Sequence, residues 1–390
     1  MVDVLGSISP GFENLAQTFS KGFEGREGEM GAACSVWLDG KEVVNIYSGY
    51  ADPRSKKSWG ESTGSVIFSC TKGIMAILAA HFVQKGDLDY ERPVAYYWPE
   101  FGQSGKNNIT VSDVLSHKAG LPAFRNPVSK QEILCWNSFI SRVEKESPLW
   151  PRGLGYYYHA LTYGWLVGEI LHRVSGGEIR ELLDCIVTLR LGVKACIGLP
   201  ESKKYDLAHI TCSQEYIDFW KKEKEADSDE APNWYYRSMT LGGAFPATLV
   251  TDNDGFNDYE ILRAGIPGAG CVTSASDLAK IFSATVVETD GVRLLDDPVL
   301  DKALIPTSVG CPIYPTTGPY PSYGMGFQVD SPARNFLSVQ SFGHDGAGGQ
   351  VVFADRKRRM SFSYITNYMG CVNDQRASSL IKEIKLLDNK

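Results

Sequence analysis

Strand-forming segments of this chain lie near its two ends, and a long helix-patterned stretch separates them. Near the N-terminus, Ala32-Ala33-Cys34-Ser35-Val36-Trp37-Leu38 and Val43-Val44-Asn45-Ile46-Tyr47 flank Asp39-Gly40. Two apolar runs joined at Asp-Gly predict a tight hairpin. Short β-type runs return at 326–329, 337–342, 350–354 and 360–366. From about residue 90 to 285 strand signals are sparse, and helical patterns alternate with Pro/Gly loops. Residues 54–63 are polar and read as a loop. Helices are predicted over 11–24, where Phe12, Leu15, Phe19 and Phe23 recur at helical spacing, over 73–84 with Gly86 as the stop, and over 378–387.

Composition removes several classes. At 390 residues there is room for roughly two to three domains, or for one large unit with an inserted lobe. Apolar residues at 43% and charged residues at 22% match an ordinary globular protein, not a disordered or fibrous one. The net charge of −7 and the mixed signs of the one dense run, 221–230, leave no basic footprint for nucleic acid. No apolar stretch reaches the ~18 residues of a membrane span. The first residues, MVDVLGSISPGFENL, lack the basic and apolar regions of a signal peptide, and the last, LLDNK, match no retention signal. The nine cysteines are scattered, odd in number and without a CxxC pair, which predicts reduced, mostly buried thiols and a cytoplasmic protein. In that setting the sequon Asn108-Ile109-Thr110 has no use.

Motifs remove more. There is no GxSxG elbow, no phosphate-binding GxxxxGK[ST] loop and no GxGxxG after a strand. The six histidines show no HExxH or His-x-His spacing, so neither a metal nor a cofactor is expected.

What remains is nucleophilic chemistry. Ser69-Cys70-Thr71-Lys72 puts a hydroxyl and an amine nearly one helical turn apart, on one face. Serine attacks only when a base takes its proton, and lysine is a base only when burial lowers its pKa from about 10.4. A β-type run precedes Ser69 and a strongly apolar helix follows Lys72, so both fall at a buried helix N-terminus whose N–H groups can hold an oxyanion. Ser379-Leu380-Ile381-Lys382 repeats the spacing in an ordinary amphipathic helix and reads as solvated surface. Further on, Tyr156-Tyr157-Tyr158-His159-Ala160 sits where a loop enters an apolar helix. A tyrosine beside a lysine can act as phenolate base or proton relay; Tyr156, Tyr157 and Tyr163 read as packing. Finally, Gly343-His344-Asp345-Gly346-Ala347-Gly348-Gly349 lies between two apolar β runs. Its glycines mark either close backbone approach, with a strand N–H completing an oxyanion hole, or a hairpin turn.

In this order, SxxK, tyrosine and glycine-rich strand, the chain resembles the serine β-lactamase and penicillin-binding-protein superfamily. It looks most like the class C-like branch that holds family VIII carboxylesterases and related cytosolic serine hydrolases. The resemblance spans about residues 10–385 and includes Tyr97-Trp98-Pro99-Glu100-Phe101, Leu115-Ser116-His117-Lys118-Ala119-Gly120-Leu121-Pro122 and Gly265-Ile266-Pro267-Gly268-Ala269-Gly270. It implies Ser69 as acylated nucleophile, Lys72 as general base or proton shuttle, and Tyr158 as catalytic tyrosine. It implies an oxyanion hole from the N–H groups of Ser69 and Ala347, and it places the family's Lys-Thr-Gly on His344-Asp345-Gly346. Ala160 replaces an amide-binding Asn, and His344 replaces a cationic Lys.

The expected fold is therefore α+β. An antiparallel sheet from both chain ends, residues 1–74 and 286–390, is flanked by terminal helices and packed on a mostly helical lobe, 75–285, with the active site at the junction. The expected activity is acyl transfer through a Ser69 ester. With water as acceptor this gives a carboxylesterase on small or medium esters; with an alcohol or amine it gives an acyltransferase. A β-lactamase or D-alanyl peptidase, and a non-catalytic scaffold, are the competing readings. The expected partner is a small-molecule ester.

Overall fold

The computed structural model describes residues 2–201, 205–315, 317–370 and 374–387. Cys371 and the last three residues, read above as a thiol and a signal-free terminus, lie outside them. The two groups of strands meet in one nine-stranded sheet. Its order is Leu5–Ile8, Lys41–Asp52, Gly31–Leu38, Met360–Thr366, Gln350–Asp355, Ser341–Gly346, Gln328–Val329 and Ser322–Tyr323, with Lys57–Ser58 paired beside Lys41–Asp52. Each neighbouring pair is antiparallel. The seam between the two chain ends is Gly31–Leu38 against Met360–Thr366, in register from Leu38↔Met360 to Ala32↔Thr366.

The predicted hairpin forms, with Asp39 at φ 49° and Gly40 at φ 75°. Two successive positive φ angles twist the turn in the sense the strands need. Met360–Thr366 is buried along its whole length and Gly31–Leu38 from Gly31 to Trp37, because helices cover both faces. Along Met360–Thr366, Phe362 and Tyr364 pack with Leu15, Phe19, Leu380 and Ile384 of the terminal helices Asn14–Lys21 and Arg376–Leu387. The alternate residues Ser361 and Ser363 point the other way and donate to the carbonyls of Ala279 and Ala275, each at 2.6 Å. Their small side chains let the helix Ala275–Val286 lie close on that face, although it belongs to the 75–285 stretch.

The helix Cys70–Lys85 runs at the junction. Twelve of its residues, Cys70 to Ala80 and Phe82, are buried, so it carries no polar stripe and must sit inside the molecule. Gly86 at φ 81° ends it in a left-handed cap. Gly73 gives room for Phe282, whose Cζ would lie 2.7 Å from a Cβ there. The segment 337–342 becomes strand only from Ser341, because Ser341 Oγ accepts the N–H groups of Leu337 and Ser338 and holds a turn before it. The middle of the chain is helical, as its pattern predicts. A small sheet joins Ser65–Val66, within the β-type run before Ser69, to Cys271–Thr273 and Ala195–Ile197 of the middle stretch, strands too short for a periodicity signal of their own.

Candidate active site

Phe68 is buried and sits at φ 43°, a left-handed conformation costly for a bulky residue. The turn it makes leaves Ser69 partly exposed between buried neighbours, at the entry to the helix Cys70–Lys85. One turn on, Lys72 is fully buried. Its Nζ lies 3.0 Å from Ser69 Oγ, 2.6 Å from the Ala160 carbonyl and 2.9 Å from the Gly268 carbonyl. Burial pushes its pKa well below that of an ordinary lysine. A neutral amine has two N–H donors and one lone pair. In the neutral form that burial favours, the two carbonyls can take both donors and leave the lone pair for the serine hydroxyl. This is the geometry of a base, and it needs no carboxylate beside the amine.

Three consecutive tyrosines go to three places. Tyr156 donates its hydroxyl to the Gly310 carbonyl at 2.6 Å. Tyr157 packs edge-on to Tyr314, with centroids 5.3 Å apart. Tyr158 is hydrogen-bonded to the Ser69 side chain, and its ring centre is 4.9 Å from Lys72 Nζ. Burial raises the Tyr158 phenol well above its usual value, so it holds its proton at neutral pH. Such a group can pass a proton on but is not a resting phenolate.

The strand Ser341–Gly346 ends directly over the nucleophile turn. A Cβ on Gly346 would stand 2.6 Å from the Ile67 carbonyl and 3.2 Å from Cys70 Sγ. Gly348 and Gly349 instead have φ of 82° and 96° and make the turn into Gln350–Asp355. Close backbone approach and a turn thus occur together, at different glycines. Ala347 lies between them, and the loop is tied down by Gln350, which donates to the Val66 carbonyl at 2.8 Å. His344 is buried and donates from Nδ1 to the Asp345 carbonyl at 2.7 Å, leaving Nε2 without a protein partner. Burial first, and the nearby Lys72 second, depress its pKa to about 3. The asparagine position, Ala160, contributes its carbonyl to Lys72 and no side-chain donor.

The structure therefore gathers Ser69, Lys72, Tyr158, His344 and Gly346, with Ala347 beside them. Ser379 and Lys382 are exposed on the terminal helix Arg376–Leu387, outside this group. Three neighbours were not singled out as site residues from the sequence. The Gly268 carbonyl carries no residue-type signal at all. Tyr323 stacks on Tyr158 with centroids 5.7 Å apart at 20°. His117, at φ 64°, accepts the His159 N–H on Nδ1 at 3.2 Å and lies 4.8 Å from the Tyr158 ring. Tyr323 comes from a segment with no motif of its own, whereas His117 lies in the segment 115–122 that carries part of the family resemblance without having been given a role.

The beta-lactamase family model matches residues 12–385. The chain belongs to the beta-lactamase family. Esterase/beta-lactamase LipL of Mycobacterium tuberculosis is 30% identical to it over 382 residues, covering 93% of this chain and 83% of LipL. A family VIII carboxylesterase structure superposes with a TM-score of 0.85 at 25% identity, covering 99% of this chain and 100% of that one. A penicillin-binding protein homologue from Caulobacter crescentus gives 0.84 at 28%, with 99% and 100% covered.

In this beta-lactamase-family chain the strand end opens on a cleft of about 260 Å³. Residues 345–350 and Arg334 form one wall; Phe219, Trp220, Tyr235 and Met239 form the other. Trp220 and Tyr235 stack at 5.3 Å. Asp345 accepts from Arg334 Nε at 2.9 Å and from Gln328 at 3.0 Å, so the guanidinium on this wall is already paired. Among the described residues, no group of His, Cys, Asp or Glu is placed to hold a metal, and no helix is long and apolar enough to cross a membrane.

Proposed function

We propose that this serine hydrolase is a carboxylesterase acting on small and medium esters through an acyl-enzyme on Ser69. The observation that carries the reading is the partner set of Lys72: two backbone carbonyls and the serine hydroxyl. In the first half-reaction Lys72 Nζ takes the Ser69 proton as Oγ bonds to the ester carbonyl carbon. The oxyanion is held by the N–H groups of Ser69 and Ala347. The Tyr158 hydroxyl then protonates the leaving alkoxide and regains a proton from the Lys72 ammonium. In the second half-reaction water attacks the Ser69 ester. Its proton goes to the same pair, and Oγ leaves with a proton as the acid departs.

Esters fit this cleft better than β-lactams. A β-lactam carboxylate needs a cation where His344 is neutral, and its amide side chain needs a donor or acceptor where Ala160 offers only a methyl group. The apolar wall of Trp220, Tyr235 and Met239 suits an uncharged acyl chain. We also place the protein in the cytoplasm, a reading supported by eight free cysteines among the described residues.

The test is labelling with a fluorophosphonate followed by peptide mapping, beside turnover of p-nitrophenyl butyrate. Label on Ser69 is expected, with turnover abolished in a folded Ser69→Ala variant and retained in Ser379→Ala. Turnover at the wild-type rate in Ser69→Ala would sink the proposal.

A further inference from the structure

Three charged side chains line the cleft over residues 345–350: Arg334, Asp345 and Asp374. Asp374 is cancelled from behind by the buried Arg376, whose Nε donates to it at 2.9 Å. Arg334 and Asp345 cancel one another. Nε of the guanidinium donates to Asp345 Oδ2 at 2.9 Å, and Nη2 stands 2.9 Å from Oδ1. The two groups meet fork to fork, the way a guanidinium takes a carboxylate of any origin. The remaining arm of Arg334, Nη1, donates to Ser378 Oγ at 3.0 Å. Gln328 holds Asp345 from the neighbouring strand, donating to Oδ2 at 3.0 Å and accepting its N–H at 3.0 Å. Among the described residues, the cleft therefore has a cation on its wall and no free positive charge.

The pair lies beside the nucleophile turn. Asp345 is followed by Gly346, where a Cβ would meet the Ile67 carbonyl and Cys70 Sγ, and then by Ala347, which lines the same cleft. Its charge is felt in the site: burial, first, raises the Tyr158 phenol, and Asp345 adds to that rise. In the esterase reading the ester carbonyl rests on the Ala347 N–H, and its acyl chain runs along the wall that carries Arg334.

An acyl chain that ends in a carboxylate loses water on entering a half-buried cleft, and only an available cation offsets that loss. Arg334 is not available. Asp345 already sits where such a carboxylate would go, and its own charge repels a second one. A chain that ends in an apolar group meets neither cost and gains contact with Trp220, Tyr235 and Met239.

We propose that Asp345 sets the substrate specificity of this enzyme by occupying Arg334: it restricts the acyl chain to uncharged groups and keeps out half-esters of dicarboxylic acids. The assignment rests on the esterase reading and names its substrate class. The test compares mono-p-nitrophenyl adipate with p-nitrophenyl 6-methylheptanoate, whose acyl chains have one length and end in a carboxylate and an isopropyl group. The wild-type chain is expected to prefer the neutral ester by about tenfold or more in kcat/KM. Asp345→Asn keeps an oxygen for Arg334 but removes the charge, and is expected to raise the anionic-to-neutral ratio by about tenfold. Adding Arg334→Gln to that variant is expected to reverse most of the gain, since the wall then holds no cation. A ratio does not depend on the fraction of folded enzyme. A clamp with a structural role alone would lower the Tm of the variants and leave the ratio in place. A wild-type chain that takes both esters equally, a ratio unchanged in Asp345→Asn, or a gain that survives intact without Arg334 would overturn the assignment. Calorimetric titration with monomethyl adipate reads the same difference without turnover. Saturable heat is expected in Ser69→Ala/Asp345→Asn and not in Ser69→Ala; the same result in both counts against the proposal. Failure of the esterase reading shows separately, as a Ser69 that a fluorophosphonate does not label.

Discussion

Tyr156, Tyr157 and Tyr158 are chemically identical, and only their surroundings separate them. The first spends its hydroxyl on Gly310, the second packs on Tyr314, and the third meets Ser69. Removing one positioned proton-transfer group costs ~10²–10⁴ in rate. Tyr158→Phe should therefore lose that much kcat on p-nitrophenyl butyrate, while Tyr156→Phe and Tyr157→Phe stay within about threefold of wild type. Each change deletes one oxygen and keeps the ring, so packing loss is small. A near-normal Tyr158→Phe beside a crippled neighbour would shift the assignment by one or two positions. The sequence pattern marks this cluster as a helix entry, and only the family resemblance singles out Tyr158 from its two neighbours.

The helix Thr162–Ser175 and the loop carrying Gly268 must touch for Lys72 to have its second carbonyl. Gly164 makes that contact possible: a Cβ there would stand 2.0 Å from Gly268 N and 2.6 Å from the Pro267 carbonyl carbon. Gly→Ala in an open helix stabilises by ~1 kcal/mol. Here the sign reverses, because the added methyl meets backbone that cannot rotate away. Gly164→Ala should destabilise the protein by ~1–3 kcal/mol. It should also lower kcat, since the loop must move and carry the Gly268 carbonyl off Lys72. Thermal denaturation and kcat on the same sample check both; a rise in Tm with full activity would contradict the packing argument. At the same scale, long strands and helices were readable from periodicity, and the β-type run before Ser69 forms Ser65–Val66, while the three-residue strands Ala195–Ile197 and Cys271–Thr273 gave no signal. The pairing of these three depends on the tertiary fold and leaves no local pattern.

For the whole molecule, the buried histidines tie stability to pH. His159 and His344 are depressed to about 3, and His117 well below its usual value, in each case first by burial. In the unfolded chain each titrates near 6.5. As pH falls below that, the unfolded state takes up protons that the folded state refuses, so stability declines on the acid side and is restored above about pH 6.5. The slope is about 1.4 kcal/mol per pH unit for each histidine down to the depressed values, against a total of only ~5–15 kcal/mol. Urea denaturation at pH 7, 6 and 5 should show this loss starting above the carboxylate range, and His344→Gln should make it shallower. Equal stability at pH 7 and 5 would mean that these rings are not buried neutral.

The pattern of apolar runs by itself determined that strands come from both ends and helices from the middle, because burial on a strand or helix imposes a local period. It also determined the chemistry on offer at Ser69 and Lys72, since a hydroxyl and an amine one turn apart share a face whatever surrounds them. The flanking pattern also separated the two SxxK copies, the first before a strongly apolar helix and with Lys72 buried, the second on an amphipathic helix and exposed. The tertiary structure supplied the burial that keeps His344 neutral and the hydrogen bond that joins Tyr158 to Ser69. Above all it supplied the carbonyls of Ala160 and Gly268, which lie 88 and 196 residues from Lys72 along the chain. A backbone carbonyl is the same in every residue. Its part in turning a lysine into a base is set by where the fold brings it, and no residue type records that.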